Sequence, residues 1–591
     1  MNAEQGKLDY ADCVTEWLIE LGQQEIDADC LEEAAVYTAL AATNLSRQNR
    51  KLISIGIEKN LLSIARRLSD HTRYVSKDDD GFDDTSGKNC LHVLDEALPA
   101  GGLTAMAVRW ISNDTSGRIN HVVLLSQEVS IPQELIEACK KSGGKVIKLD
   151  PELSLVARAA RLRTLAASIS DMLVLHVGVS DVISGIAFGV EGGVPVMIVN
   201  HAAHIYWSCS SIADLVVNCR GSELEKEWTE HYRNSKSAIV PIPLQEVHDS
   251  AEDPTENIDR KRSVKKELGL PSESILILTV GASFKYFNFD DVDFVKTYLD
   301  ILNEVPNAIL IVVGARPDSR WSEASKLANF RIKVLGSINQ NKLAQIRKAT
   351  DIYVESFPFG STTSLLEAAL HGIPVVLAPA NCPPPFGTDG IAIDTVVSRP
   401  ISFAQYKEYV ISLCKNRELR DEAGRLVKDS VEYHHTGEGW RGHLAHAVSL
   451  LPARHKINQH TEVNETENNI YGYWTKIVST YQYPYEECFE HMVIKALDNG
   501  VKPHLTDSLV SEYKKYYKKS TCHSMRIFLL ELFFNKLLPI LTPKSAGKLF
   551  KLQSFFFRSG LGKRISEKLA NLFAKKDLNQ SWYAEYRNIK N

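Results

Sequence analysis

The ten cysteines of this chain are scattered: Cys13, Cys30, Cys90, Cys139, Cys209, Cys219, Cys382, Cys414, Cys488 and Cys522 form no CxxC pair and no metal-ligand spacing. No zinc ribbon or dithiol redox motif is encoded, and the thiols read as reduced and cytosolic. No run approaches the roughly 20 apolar residues that cross a bilayer as a helix. The opening MNAEQGKLDYADC has neither the basic flank nor the apolar core of a secretory signal, so the expected location is the cytoplasmic side. With 44% hydrophobic and 24% charged residues, wholesale disorder and fibrous architectures are excluded. A net charge of −5 and the lack of a recognition motif argue against a nucleic-acid partner.

A chain of 591 residues exceeds a single core and implies several units. Residues 1–77 carry helical spacing in WLIELGQQ, CLEEAAVYTALAA and LLSIARRL, and predict a helical N-terminal module. After the charged linker 78–89, short apolar runs alternate with helical stretches over 90–245, in CLHVLDEA, HVVLLS, KVIKL, MLVLHV, VPVMIVNH, ADLVVNC and AIVPIPL. A second series spans 265–455, in ILILTVGA, AILIVVGA, IKVLGSI, DIYVES and IPVVLAP. Alternation of this kind predicts two tandem α/β domains, each a parallel sheet covered by helices, with the ligand site in the cleft at the strands' carboxyl ends. Residues 465–591 are expected to form a helical, basic extension.

The most informative stretch runs from Asp351 to Ala380, where a strand leads through Gly360, Ser361, Thr362, Thr363 and Ser364 into a helix bearing Glu367, and Gly372-Ile373-Pro374 leads to another strand. A helix start offers unpaired N–H groups and partial positive charge, glycine allows close approach, and the hydroxyls add donors, so a phosphate ligand is expected. The same residues also suit an ordinary capped helix. Gly101-Gly102 follows an apolar run and precedes a helix, where backbone can approach a ligand or simply turn. Ser283 and Lys285 lie just past a strand end, where a lysine neutralises phosphate as a point charge or stands in solvent. His176 ends one strand, and His201 and His204 follow the next, so they point toward one cleft.

Taken in order, these parts resemble the two-Rossmann-domain GT-B glycosyltransferases, and within them the bacterial family of retaining nucleotide-sugar transferases that build surface polysaccharides and lipopolysaccharide. The resemblance covers about 360 residues, Cys90 to Leu451, and rests on Gly101-Gly102, His176, Val280-Gly281 with Lys285, and Glu367-Ala368 through Gly372, Pro374, Val375 and Val376. It implies that Ser283, Lys285 and the Ser361–Ser364 turn hold the donor diphosphate, that Glu367 accepts from ribose hydroxyls, that His176 contacts the donor sugar, and that Gly101-Gly102 admits pyrophosphate and acceptor. The implied partners are a nucleotide sugar and a glycan or lipid-linked glycan acceptor, with no further cofactor and no metal. One position departs: the first glutamate of the family pair is replaced by Phe359, which leaves retention or inversion open. Two other readings share the fold: a nucleotide-sugar epimerase, and a non-catalytic module of a polysaccharide assembly complex.

From Lys544 to Lys576 nine Lys/Arg face one acid, Glu567, among the phenylalanines Phe555, Phe556 and Phe557. Cationic amphipathic helices of this composition bind anionic bilayers, which implies a peripheral place on the inner membrane face. Packing on the protein with lysines in solvent is the other reading.

Overall fold

A computed structural model describes residues 3–48, 51–71, 89–99, 101–246, 254–384 and 386–460. The expected basic extension and its proposed membrane contact lie outside the described residues. Among those described, no helix is long and apolar enough to cross a membrane.

The first sheet has seven parallel strands: β1 (Asn89–Leu94), β2 (Ile119–Leu124), β3 (Val146–Lys148), β4 (Met172–His176), β5 (Val196–Asn200), β6 (Leu215–Asn218) and β7 (Ser237–Ile239), in the order β3-β2-β1-β4-β5-β6-β7. The second has five: β8 (Ile275–Val280), β9 (Ala308–Val313), β10 (Ile332–Gly336), β11 (Ile352–Val354) and β12 (Val375–Val376), in the order β10-β9-β8-β11-β12. Strands such as Ala308–Val313 are apolar throughout because helices cover both faces of the sheet. The chain therefore contains two Rossmann-like sheets in tandem, the architecture expected from the sequence. Each order reverses once, between β1 and β4 and between β8 and β11, so the ligand crevices open at the carboxyl ends of those pairs.

The N-terminal helices α1 (Ala3–Asp27), α2 (Leu31–Gln48) and α3 (Ile55–His71) do not stand apart. Leu40, Ile57, Leu61 and Ile64 share one apolar core with Leu91, Val93, Leu173 and Leu175 of the first sheet. Burying each such side chain stabilises by about 1.5–3 kcal/mol, so these helices form a wall of that domain. Glu58 fixes the join: its buried carboxylate accepts from the Cys209 and Ser211 amides, each at 2.9 Å.

A second crossing comes at the far end. The helix Gly437–Ser449 follows the second sheet in sequence, yet Trp440, Leu444 and Ala447 pack with Met172, Val174 and Trp110 on the first. Trp440 Nε1 donates to Pro241 O at 2.8 Å, and His455 Nδ1 lies 2.7 Å from Asp214 Oδ2. The first domain is thus closed by residues distant from it in sequence.

Candidate functional site

Lys285 and the hydroxyl turn meet at the β8/β11 switch point. Beyond β8 the chain turns at Gly281 into a short 3₁₀ segment, Ser283–Tyr286, and Lys285 Nζ donates to Gly360 O at 2.5 Å. A Cβ on Gly281 would stand 3.1 Å from Ser361 Oγ and 3.2 Å from Lys285 Cδ, so glycine lets the two strand-end loops close together. Gly360 is more constrained still: a Cβ there would fall 2.1 Å from Glu355 Oε1. Burial pushes the Lys285 ammonium down to about 8 from its ordinary 10.5, and the charge of Glu355 opposes that shift. The lysine is cationic at neutral pH but titrates close to it.

The helix Thr362–Leu370 begins at this point without a side-chain cap from Ser361. Elsewhere in the domain Asp293, Asp318, Asn339 and Ser402 each accept from the helix they precede. The amides of an uncapped first turn are donors directed at the crevice. The hydroxyls divide. Ser361 is buried and lies 3.2 Å from Ser356 Oγ, Thr362 is 3.1 Å from Thr388 Oγ1, and Ser283 accepts from the Arg316 amide at 2.9 Å. Thr363 is exposed and Ser364 half-buried. Ser361 and Thr362 thus order the loop as well as line it.

Glu355, which the sequence left outside the site, lies beneath the loop. Its fully buried carboxylate accepts from Ala378 N at 2.7 Å and Thr388 N at 2.5 Å. Its position directly after an apolar strand was the available signal.

Glu367 joins the domains. Its Oε1 accepts from Arg109 Nη2 at 2.5 Å, and its Oε2 is paired with Arg347. Arg109 belongs to α4 (Gly102–Asn113) of the first domain and is the one charge in that helix. The Gly101-Gly102 turn that opens α4 is therefore on an element that reaches the second domain. A Cβ on Gly101 would come within 3.2 Å of Leu98 Cβ and Thr104 Oγ1, whereas one on Gly102 would meet nothing within 4 Å. A side chain at 101 would press on its neighbours, and one at 102 would not. Each Glu367 oxygen keeps a second lone pair for a ligand hydroxyl.

Phe359 packs in an aromatic cluster, 5.3 Å from Phe386, 5.9 Å from Phe284, 6.1 Å from Phe287 and 6.4 Å from His204. His204 comes from the first domain, so this cluster spans the cleft. Burial, followed by the positive charges of Arg220, Lys285 and Arg233, pushes His204 down to about 3, and it is neutral. His176 lies deeper: it is closed off from solvent and packed among His92, Trp110 and His201. Of the two, His204 is the one whose charge environment includes Lys285.

A cavity of about 570 Å³ lies elsewhere, lined by Glu58, Lys59, Arg66, Glu191 and Asn458 among others, and no lining residue belongs to the second domain. It is separate from the Gly360–Ser364 turn.

No family model matches the chain, and no curated protein matches it. Among solved structures, a glycosyltransferase from Rickettsia africae ESF-5 aligns with TM-score 0.46 and 12% identity, covering 61% of this chain and 98% of that one. Anabaena Alr3699/HepE in complex with UDP and glucose aligns with TM-score 0.43 and 14% identity, over 61% and 99%. WaaG, a glycosyltransferase involved in lipopolysaccharide biosynthesis, aligns with TM-score 0.39 and 16% identity, over 61% and 99%.

Proposed function

We propose that this chain is a glycosyltransferase that moves a sugar from a nucleoside diphosphate sugar to a growing, lipid-linked surface glycan. The observation that carries the reading is the convergence of the Lys285 ammonium with the uncapped start of the helix Thr362–Leu370 at one switch point. In the transfer the bond from the anomeric carbon to the diphosphate oxygen breaks, and the departing oxygen takes the electron pair. Lys285 and the first-turn amides stabilise that charge, and the acceptor oxygen forms the new bond to the anomeric carbon as its proton passes to solvent. Glu367 accepts from the ribose hydroxyls. Nucleotide release from UDP- and GDP-sugars, with and without acceptor glycan, tests the reading, and its absence with every donor would remove it.

Glu367→Ala is expected to weaken UDP binding about 10- to 150-fold, because a hydrogen bond to a charged group contributes about 1.5–3 kcal/mol. Calorimetric titration reads it, with a thermal melt to show that loss of the Arg109 and Arg347 pairings leaves the fold intact. Unchanged affinity in the folded variant takes Glu367 out of the donor site.

We further place the enzyme at the inner membrane face through the basic extension. Lys563→Gln with Arg564→Gln in the full chain should weaken cosedimentation with anionic vesicles about 30-fold, at about 1 kcal/mol per charge. The binding of the unaltered chain should fall as salt rises. Equal binding by the double variant means that these charges only face solvent.

A further inference from the structure

Arg220 lies just beyond β6 of the first sheet and takes no part in the steps above, yet a segment of the second domain is seated on it. Its guanidinium stands between two buried carboxylates. Nη1 is 3.1 Å from Asp389 Oδ1 of the second domain, and Nε is 3.6 Å from Glu225 Oε1 of the first. Glu225 Oε2 also accepts from the Arg220 amide at 3.0 Å, so this carboxylate fixes the side chain and the main chain together. The Arg220 carbonyl accepts from Ile391 N at 3.0 Å. A Cβ on Gly390 would fall 2.2 Å from that same oxygen, and Gly390 has a φ of +138°, so glycine lets the two backbones meet here. Asp389, Gly390 and Ile391 thus all rest on one first-domain residue.

The residue before them belongs to the other end of the contact. Thr388 N donates to Glu355, Thr388 O accepts from Arg399, and the Thr388 hydroxyl is 3.1 Å from Thr362 Oγ1 at the first residue of the uncapped helix. Glu355 and Arg399 fix where the Thr388 peptide lies, whereas the direction in which the chain leaves it is set by Arg220. Adjacent Cα atoms are about 3.8 Å apart, so the two contacts cannot shift independently by more than a fraction of that length. The pairing is also electrostatically exacting. Among the described residues Arg220 is the one cation paired with Asp389, and a buried carboxylate that loses its cation is strongly disfavoured.

We propose that Arg220 is a positioning residue for the Gly360–Ser364 turn: by seating Asp389–Ile391 it sets Thr388 and through it Thr362, so that the first turn of the helix Thr362–Leu370 takes its anion-binding geometry only while the two domains are paired. This rests on the donor reading above and adds a regulation to it, since Arg220 acts on the nucleotide without touching it. A diphosphate on the first-turn amides and the Arg220–Asp389 pair reinforce each other, each tightening the other by the same factor.

The test uses the full-length protein and calorimetric titration of UDP. Asp389→Asn keeps the side-chain volume and leaves Arg220 with Glu225, and it should weaken UDP binding about threefold to tenfold, the effect of one neutral hydrogen bond. Thr388→Val, which removes the hydroxyl and leaves the ion pair, should do the same. The double variant should lose no more than the larger single loss, because both changes act through the contact with Thr362. Arg220→Lys, which keeps a cation opposite Asp389, should retain most of the affinity that Arg220→Met loses. Hydrogen exchange in ligand-free protein gives a reading that needs no nucleotide. Leu365 N donates to Ser361 O at 3.1 Å, and exchange over residues 361–370 should quicken at least threefold in Asp389→Asn while the helix Phe294–Glu304 of the same domain is unchanged. Unaltered UDP affinity in folded Asp389→Asn overturns the inference, and so does full additivity in the double variant. If the unaltered chain binds no UDP, the donor reading falls, and exchange alone decides the positioning role: equal rates over 361–370 in Asp389→Asn and the unaltered chain would remove it.

Discussion

Lys285→Ala is expected to lower turnover by about 10²- to 10³-fold, the usual effect of removing one preorganised donor from a developing anion, and to change donor KM far less. The ammonium is fixed by its 2.5 Å bond to Gly360 O, so little reorganisation is needed when the leaving group charges. Steady-state kinetics on the purified variant provide the measurement. Unaltered rates would mean that Lys285 merely ties two loops together.

The same residue sets a pH dependence. Its ammonium is lowered to about 8, so the charge is present below that pH and lost as pH rises through it. Since kcat/KM reports the free enzyme, it should fall above about pH 8. A bound diphosphate raises the lysine's pKa, and the corresponding limb of kcat should lie at higher pH. Lys285→Arg should retain part of the rate and lose this limb, because guanidinium does not titrate there. The sign for stability is opposite: between about pH 8 and 10.5 the unfolded chain keeps a proton that the folded chain has released, so this group's contribution to stability rises with pH.

The strands were legible because parallel strands buried on both faces are written as continuous apolar runs. AILIVV and MLVLH can hardly be anything else between helical stretches. The turn from Gly360 to Ser364 was legible for a related reason: glycine and hydroxyl residues at a strand end follow a local rule, and Lys285 meets Gly360 there. Pairings across the fold were not. Arg109 and Glu367 lie 258 positions apart, and the only sign was a single charge in an otherwise apolar helix. An amphipathic face records that a helix is buried but not what it is buried against. So the attachment of α1–α3 and of Trp440 to the first sheet could not be read. The depth of His176 belongs to the same class, since strand-end position gives direction along the sheet and not distance from solvent.

Glu355→Ala is expected to have the largest effect on stability, because this carboxylate supports the turn that begins at Gly360. It is fully buried and accepts from Ala378 N and Thr388 N. Thr388 in turn meets Thr362 at the helix start, and Gly360 is pressed against Glu355 Oε1 from the other side. Removing the carboxylate leaves two buried N–H groups without acceptors, at about 1–3 kcal/mol each, a large part of an ordinary domain's stability of about 5–15 kcal/mol. Glu355→Gln should not rescue it, since the side-chain NH₂ would then confront one of those donors. Denaturant unfolding measures the loss. The glutamine variant also loses a negative charge that favours the Lys285 ammonium, so its alkaline limb in kcat/KM should move below about pH 8. An unfolding midpoint like that of the unaltered chain, with the limb unmoved, would mean that Glu355 neither supports the loop nor tunes its lysine.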